Sequence, residues 1–235
     1  MNFLLHYRRA TAASGSRRTG VGAMLPDLWR MADRRVRPVP NDGGGPVVTA
    51  GPDIDDVEAG VRMHLDDDLW FHATDVFRSG EAATLAAFRA VTFDAAPRLV
   101  LFAHVAWELC LDGALVRREG APALRAEIAR AVGTKGDDER SAFARVAERH
   151  HFARVPRTDD ERRAFDGTME RILDGLADGP WIADYAEGRG VAARIDGIRR
   201  RFAFPALSDV DRQRLADVFD ARIEAAGLVL DALTG

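Results

Sequence analysis

The sequence predicts an all-α protein, a single helical domain spanning residues 1–235. Three observations carry this. Val, Ile, Thr and Tyr do not gather in alternating runs, so the two-residue period of half-buried strands is missing. Ala, Leu, Arg, Glu and Asp recur with helical spacing instead. The punctuation is helical too, with prolines near first turns, glycines just past ends and acids at starts.

Taken in order, the pattern predicts helices over about residues 21–35, from 53 to 64 or beyond, and over 81–92. The clearest helix starts at Leu99, where Leu99, Phe102, Ala103, Ala106, Trp107, Cys110, Leu111, Ala114 and Leu115 keep an apolar stripe as an inward-facing central helix would. Pro97 stands near its first turn and Gly120 just past its end. Residues 122–132 open on a proline, and 138–152 and 159–177 on acids that favour a helix N-terminus. Two long helices follow, over 180–202 and 208–233. The second has Ser208 as its cap and Leu215, Val218, Phe219, Ile223 and Ala226 at helical spacing. Residues 38–52, PVPNDGGGPVVTAGP, read as a long irregular loop, expected to be mobile, because three consecutive glycines and four prolines cannot continue a helix.

At 235 residues, with 47% apolar and 30% charged content, the chain is long enough to bury one sizeable core. Cys110 is the sole cysteine, which leaves no internal disulfide and no zinc-thiolate site, and its place in an apolar stripe marks it as core rather than nucleophile. The opening MNFLLHYRR puts apolar residues before arginines, the wrong order for a secretory signal, and no stretch approaches the ~20 uninterrupted apolar residues of a membrane span. A soluble cytoplasmic protein is expected. A net charge of −4 argues against general nucleic-acid binding, yet residues 1–40 carry eight arginines against two acids, Asp27 and Asp33. That excess suits an acidic partner or a phosphate; equally, the arginines can be solvating helix surfaces in a chain whose single lysine is Lys135.

Two helical stretches present ligand-type side chains at i, i+4, i+8: His64, Asp68 and His72 on one, and His104, Glu108 and Asp112 on the other. Residues four apart stack on one helix face, and helical proteins build metal sites from such faces. The competing reading makes the Asp66, Asp67, Asp68 run a solvated turn and the histidines satisfied core residues. His104 and Glu108 are more telling, because they interrupt the most apolar helix, and a buried ionisable group needs an ion or a hydrogen-bonded network. His6 follows Phe3, Leu4 and Leu5, while Asp27 is the single acid in the apolar segment GAMLPDLW. The competing reading of Asp27 is a helix-start carboxylate after Pro26. His6, Asp27, His64, Asp68 and His104 are expected to converge on one polar pocket, and His150 and His151 to lie at the surface. No G-x-S-x-G elbow, phosphate loop or H-E-x-x-H helix is present.

The segments MNFLLH, GAMLPDLW, GVRMHLDDDLW followed by Arg78, and HVAWELCL resemble, in order and spacing, the acyl carrier protein phosphodiesterases. A later pattern of that family is echoed by Trp181, Ile182, Tyr185, Gly197, Ile198 and Arg201, so the resemblance spans almost the whole chain. It implies an all-helical fold related to the HD phosphohydrolases. It also implies removal of 4′-phosphopantetheine from a serine of acyl carrier protein, with Mn2+ or a similar divalent metal (Mg, Fe or Zn). His6, Asp27, His64 and Asp68 fall on matching positions. The family usually has His where Arg8 stands, and Asp where His72, His104 and Glu108 stand. The last three exchange one ligand type for another, whereas Arg8 can bind phosphate but not a cation. The loop over 38–52 is longer than its family counterpart, which would suit a changed substrate.

The reading that follows makes His6, Asp27, His64, Asp68, His72, His104 and Glu108 the metal-site residues. Asp27 or Asp68 is then ligand or general base, and Arg8 offsets phosphate charge. Two other readings keep the fold: an HD-like phosphohydrolase of a nucleotide or other small phosphate ester, and a non-catalytic helical binding protein with a residual polar site.

Overall fold

The computed structural model describes residues 2–33, 35–36, 52–91, 98–133, 140, 143, 146–147 and 158–234. Among these residues the protein is all-α, as the sequence predicts, and contains no strand. Its helices are α1 (Phe3–Ser14), α2 (Arg17–Ala32), α3 (Pro52–Ala73), α4 (Asp75–Ala90), α5 (Leu99–Glu119), α6 (Ala121–Val132), α7 (Asp159–Asp178), α8 (Trp181–Asp184), α9 (Gly188–Arg201) and α10 (Asp209–Thr234). Arg140, Phe143, Val146 and Ala147 are helical, in line with the helix expected over 138–152. The expected mobile loop over 38–52 falls outside the described residues up to Gly51, and so do His150 and His151.

Local capping sets most of the starts. Ser16 Oγ accepts from the Thr19 amide to open α2, and Thr74 accepts from the Phe77 amide at 3.2 Å to open α4. Thr158 and Glu161 form a reciprocal capping box on α7. Ser208 accepts from the Asp211 amide at 3.1 Å, which confirms it as the cap of α10. Two expectations are corrected. Residues 3–14 form a helix that the sequence pattern did not signal, and residues 180–202 form two helices rather than one. The break arises because the chain tightens after Asp184 into bonds from Tyr185 to Ile182, Ala186 to Ala183 and Glu187 to Asp184. Glu187 then turns extended, with φ −123° and ψ 136°.

The chain forms two compact units, interleaved in sequence. The first comprises residues 1–5, 70–124 and 180–235. Its centre is α5, whose Phe102, Trp107, Leu111 and Leu115 are buried against α4, α9 and α10. Phe88 meets Phe219 edge-on, and Phe102 lies between Phe202 and Phe204. By length and composition α5 is apolar enough to cross a membrane, but most of it is buried inside the protein. Cys110 is buried there and burial pushes its thiol up, so it is core as expected. The second unit comprises residues 6–69 and 125–179, with α2 packed on α7.

In the second unit α2 and α3 cross backbone to backbone. A Cβ at Gly22 would run into the Val57 carbonyl. One at Gly60 would run into the Thr19 carbonyl and come within 2.7 Å of the Ala23 amide nitrogen. Gly60→Ala should therefore destabilise the protein by about 1–3 kcal/mol through overpacking of two rigid backbones. Gly197→Ala, at a helical position with nothing within 4 Å of the added carbon, should stabilise it by about 0.5–1 kcal/mol. Urea unfolding of both variants checks the pair, and equal effects would refute the crossing as the constraint.

Candidate metal centre

The glycine crossing decides what His64 can reach. His64 stands four residues after Gly60 on α3, and the close approach of α2 lets its Nδ1 donate to the Ala23 carbonyl at 2.9 Å. A carbonyl accepts only, so Nδ1 carries the hydrogen and Nε2 offers its lone pair to the interior. Asp68, one turn further along α3, places Oδ2 3.5 Å from that Nε2 and Oδ1 3.2 Å from Nε2 of His6, which α1 supplies. The two imidazoles are 4.1 Å apart and tilted by 44°. One donor atom from each of His6, His64 and Asp68 lies within 4.8 Å of the others. His6 and His64 are buried and Asp68 is partly open to solvent.

Charge around the group is arranged in layers. Arg9 forks onto Asp67, Nε to Oδ2 at 3.0 Å and Nη2 to Oδ1 at 3.1 Å, and Asp67 Oδ2 lies 3.9 Å from His6 Nδ1. Burial works against a charged His6, but Asp67 and Asp68, with the charge of Asp27, outweigh it and push His6 up to about 9. Burial and the neighbouring His6 charge push His64 down to about 4 against Asp27 and Asp68. Despite its own burial, Asp67 is held below the usual carboxylate range by His6 and Arg9. One imidazole of the pair is thus charged and the other neutral.

The sequence-predicted residues divide between the two units. His6, His64 and Asp68 meet in the second, and Asp27 acts there on both histidines through its charge. Asp27 is not a helix-start carboxylate, because α2 begins at Arg17 and Asp27 lies well inside it. Arg8 reaches Glu127 at 3.4 Å through both Nη atoms, and Glu127 also takes the Tyr7 hydroxyl. His72, His104 and Glu108 gather in the first unit instead. Glu108 is buried, which alone would raise it, yet hydrogen bonds from His104 and His72 hold it well below the usual range. Asp112, the last member of its spaced trio, accepts from the Leu5 and Leu4 amides at 3.0 and 3.2 Å and caps α1.

Sequence reasoning missed Asp67, Arg9 and the Ala23 carbonyl. The run 66–68 was legible as a solvated turn, but within a helix its three acids point apart. Asp66 is exposed, Asp67 turns to Arg9 and Asp68 to the histidines. Arg9 could have been found from its i+3 spacing to His6, had residues 3–14 been recognised as a helix.

The donor set fits a divalent ion. Ligands about 2.1 Å from one tetrahedral ion lie about 3.4 Å apart, whereas charge-assisted hydrogen bonds close to about 2.7–2.9 Å. The 3.2 and 3.5 Å separations from the two oxygens of Asp68 leave room for an ion among these donors. Two imidazoles with a carboxylate favour Fe or Zn over Mg or Ca.

The histidine pair gives metal-free protein a two-sided pH dependence. His6, ordinarily near 6.5 and here near 9, contributes stability fully below pH 6.5 and loses it as pH rises through about 9. His64, near 4, contributes fully above pH 6.5 and loses it as pH falls through about 4. In urea unfolding, the stability gap between the parent and His6→Ala should narrow from pH 6.5 to 9. The gap to His64→Ala should narrow from pH 6.5 to 4. Gaps that stay flat would show that neither imidazole is perturbed.

No family model, no curated protein and no solved structure matches this chain, so the functional reading rests on the resemblance in its motifs and on the geometry of these side chains.

Proposed function

We propose that this protein is a metal-dependent phosphodiester hydrolase of the HD-related helical type. Its substrate is holo-acyl carrier protein, from which it releases 4′-phosphopantetheine. The observation that carries the reading is the His6–His64–Asp68 group, with both histidines buried and Asp27 acting on them through its charge. Mn2+ is the expected ion, held by His6, His64 and Asp68, with Asp27 as a further ligand or as the base. Such an ion, when bound, supplies Lewis acidity to a phosphoryl oxygen and makes water nucleophilic near neutral pH.

The protein's own residues have separate tasks. The Ala23 carbonyl fixes the His64 tautomer, and Asp67, gripped by Arg9, sets a negative charge 3.9 Å from the other ring nitrogen of His6. Asp27 takes the proton as water adds to phosphorus. The bond from phosphorus to the serine oxygen breaks, and the proton taken by Asp27 passes through water to the serine oxygen. Arg8 offsets phosphate charge by exchanging Glu127 for a phosphate oxygen. The arginine excess in residues 1–40 suits the acidic carrier protein in a cytoplasmic setting.

Mass spectrometry of holo-acyl carrier protein incubated with the protein and Mn2+ tests this directly. Conversion to the apo form should require the metal. Asp27→Ala should slow it at least ~100-fold with helicity retained, since loss of a base or ligand acts on the transition state. Near-parent turnover by Asp27→Ala would remove it from the chemistry. If holo-carrier protein stays intact while a simple phosphodiester is cleaved, the substrate is a small ester. If neither reacts, the protein is a binder.

A further inference from the structure

We infer that His72, His104 and Glu108 form a second binding site, for one borderline divalent transition-metal ion such as Zn2+, in the first unit. This goes beyond the hydrolase reading and does not depend on it. His72 sits in the last turn of α3, just before Thr74 caps α4, and Phe71 and Phe77 pack against its ring at 5.5 and 4.6 Å. His104 and Glu108 are four apart on α5 and share a face. Gly80 admits the Trp107 indole where a Cβ would collide with it, which draws α4 onto α5 beside His104.

The two ring nitrogens of His104 face different carboxylates. His104 Nδ1 lies 3.0 Å from Glu81 Oε1, a hydrogen-bond length. Its other nitrogen, Nε2, lies 3.5 Å from Glu108 Oε1, and His72 Nε2 lies 3.3 Å from the same oxygen. These 3.3 and 3.5 Å spacings, both to one oxygen, are also those of the edges of a tetrahedron around one ion, as derived above. All three donor atoms lie within 4.8 Å of one another.

The surroundings fit as well. Glu81 on the far nitrogen of His104 is the carboxylate–histidine arrangement that orients a ligand and raises its basicity. Phe77 stands against both rings, 4.6 Å from His72 and 5.1 Å from His104, and walls off one side. The histidines are 32% and 30% exposed while Glu108 is 4% exposed, so an ion can enter from solvent and meet a desolvated negative charge. Three protein ligands leave a fourth position for water or a ligand atom. Two imidazoles with one carboxylate select zinc, iron or cobalt over magnesium or calcium.

Titration of the metal-stripped full-length chain with Zn2+ against a chromophoric chelator tests the inference. The parent should bind two equivalents, the His72→Ala/His104→Ala variant one, and the His6→Ala/His64→Ala variant one. Glu81→Gln should weaken one equivalent about 10–100-fold and leave the other unchanged. Circular dichroism monitors the fold, and if the double variant at 72 and 104 loses helicity, Glu81→Gln decides alone. The inference is overturned if the variant at 72 and 104 binds as much Zn2+ as the parent. It is also overturned if both double variants lose all binding, which would mean one shared ion. A chain that keeps an equivalent dependent on His72 and His104, yet cleaves no phosphodiester, upholds this site while refuting the hydrolase reading.

Discussion

A charge taken out of water must be met inside the protein, and this constraint organises the interior of the chain. Removing a carboxylate from solvent without a partner costs several kcal/mol, which a marginally stable domain cannot absorb repeatedly. Each buried acid is therefore answered locally. Asp112 takes the orphan amides at the start of α1, and Asp196 takes the Leu207 amide at 2.9 Å with Arg199 at 3.6 Å. Buried Arg140 is answered by Glu170 and Asp174. Buried Glu108 is answered by a pair of imidazoles, as is the part-exposed Asp68, and that choice of partner separates a candidate ligand group from a structural ion pair.

The imidazole groups depend on close helix contacts, because a histidine reaches a neighbouring helix only when that helix is near. Gly22 and Gly60 remove the side chains that would hold α2 and α3 apart, so the Ala23 carbonyl can set the His64 tautomer. Gly80 removes the side chain that would meet the Trp107 indole, so Glu81 can reach His104. In both groups a backbone or carboxylate acceptor holds one histidine nitrogen while the other faces a carboxylate at 3.5 Å. The same physical solution arises twice, from different helices.

The helical class, the central role of α5 and the extent of α7 and α10 were legible because amphipathic periodicity and end signals are local properties of the chain. The break after Asp184 was not, since no proline or glycine lies between Trp181 and Glu187 and the tightening lies in backbone bonds between Ile182 and Glu187. The helix over residues 3–14 was also hidden. Its start is capped by Asp112, more than a hundred positions away, rather than by a neighbour in sequence.

By itself the sequence determined which donors share a helix face: His64 with Asp68, and His104 with Glu108. The period of 3.6 residues makes residues four apart neighbours whatever surrounds them. Only the tertiary structure decided how the spaced trios divide. Asp68 joins His6 rather than acting through His72, His72 joins Glu108, and Asp112 leaves its trio to cap α1. The reason is that a partner on another helix is set by where two backbones approach, and that approach follows from glycine contacts and packed rings that no local pattern encodes.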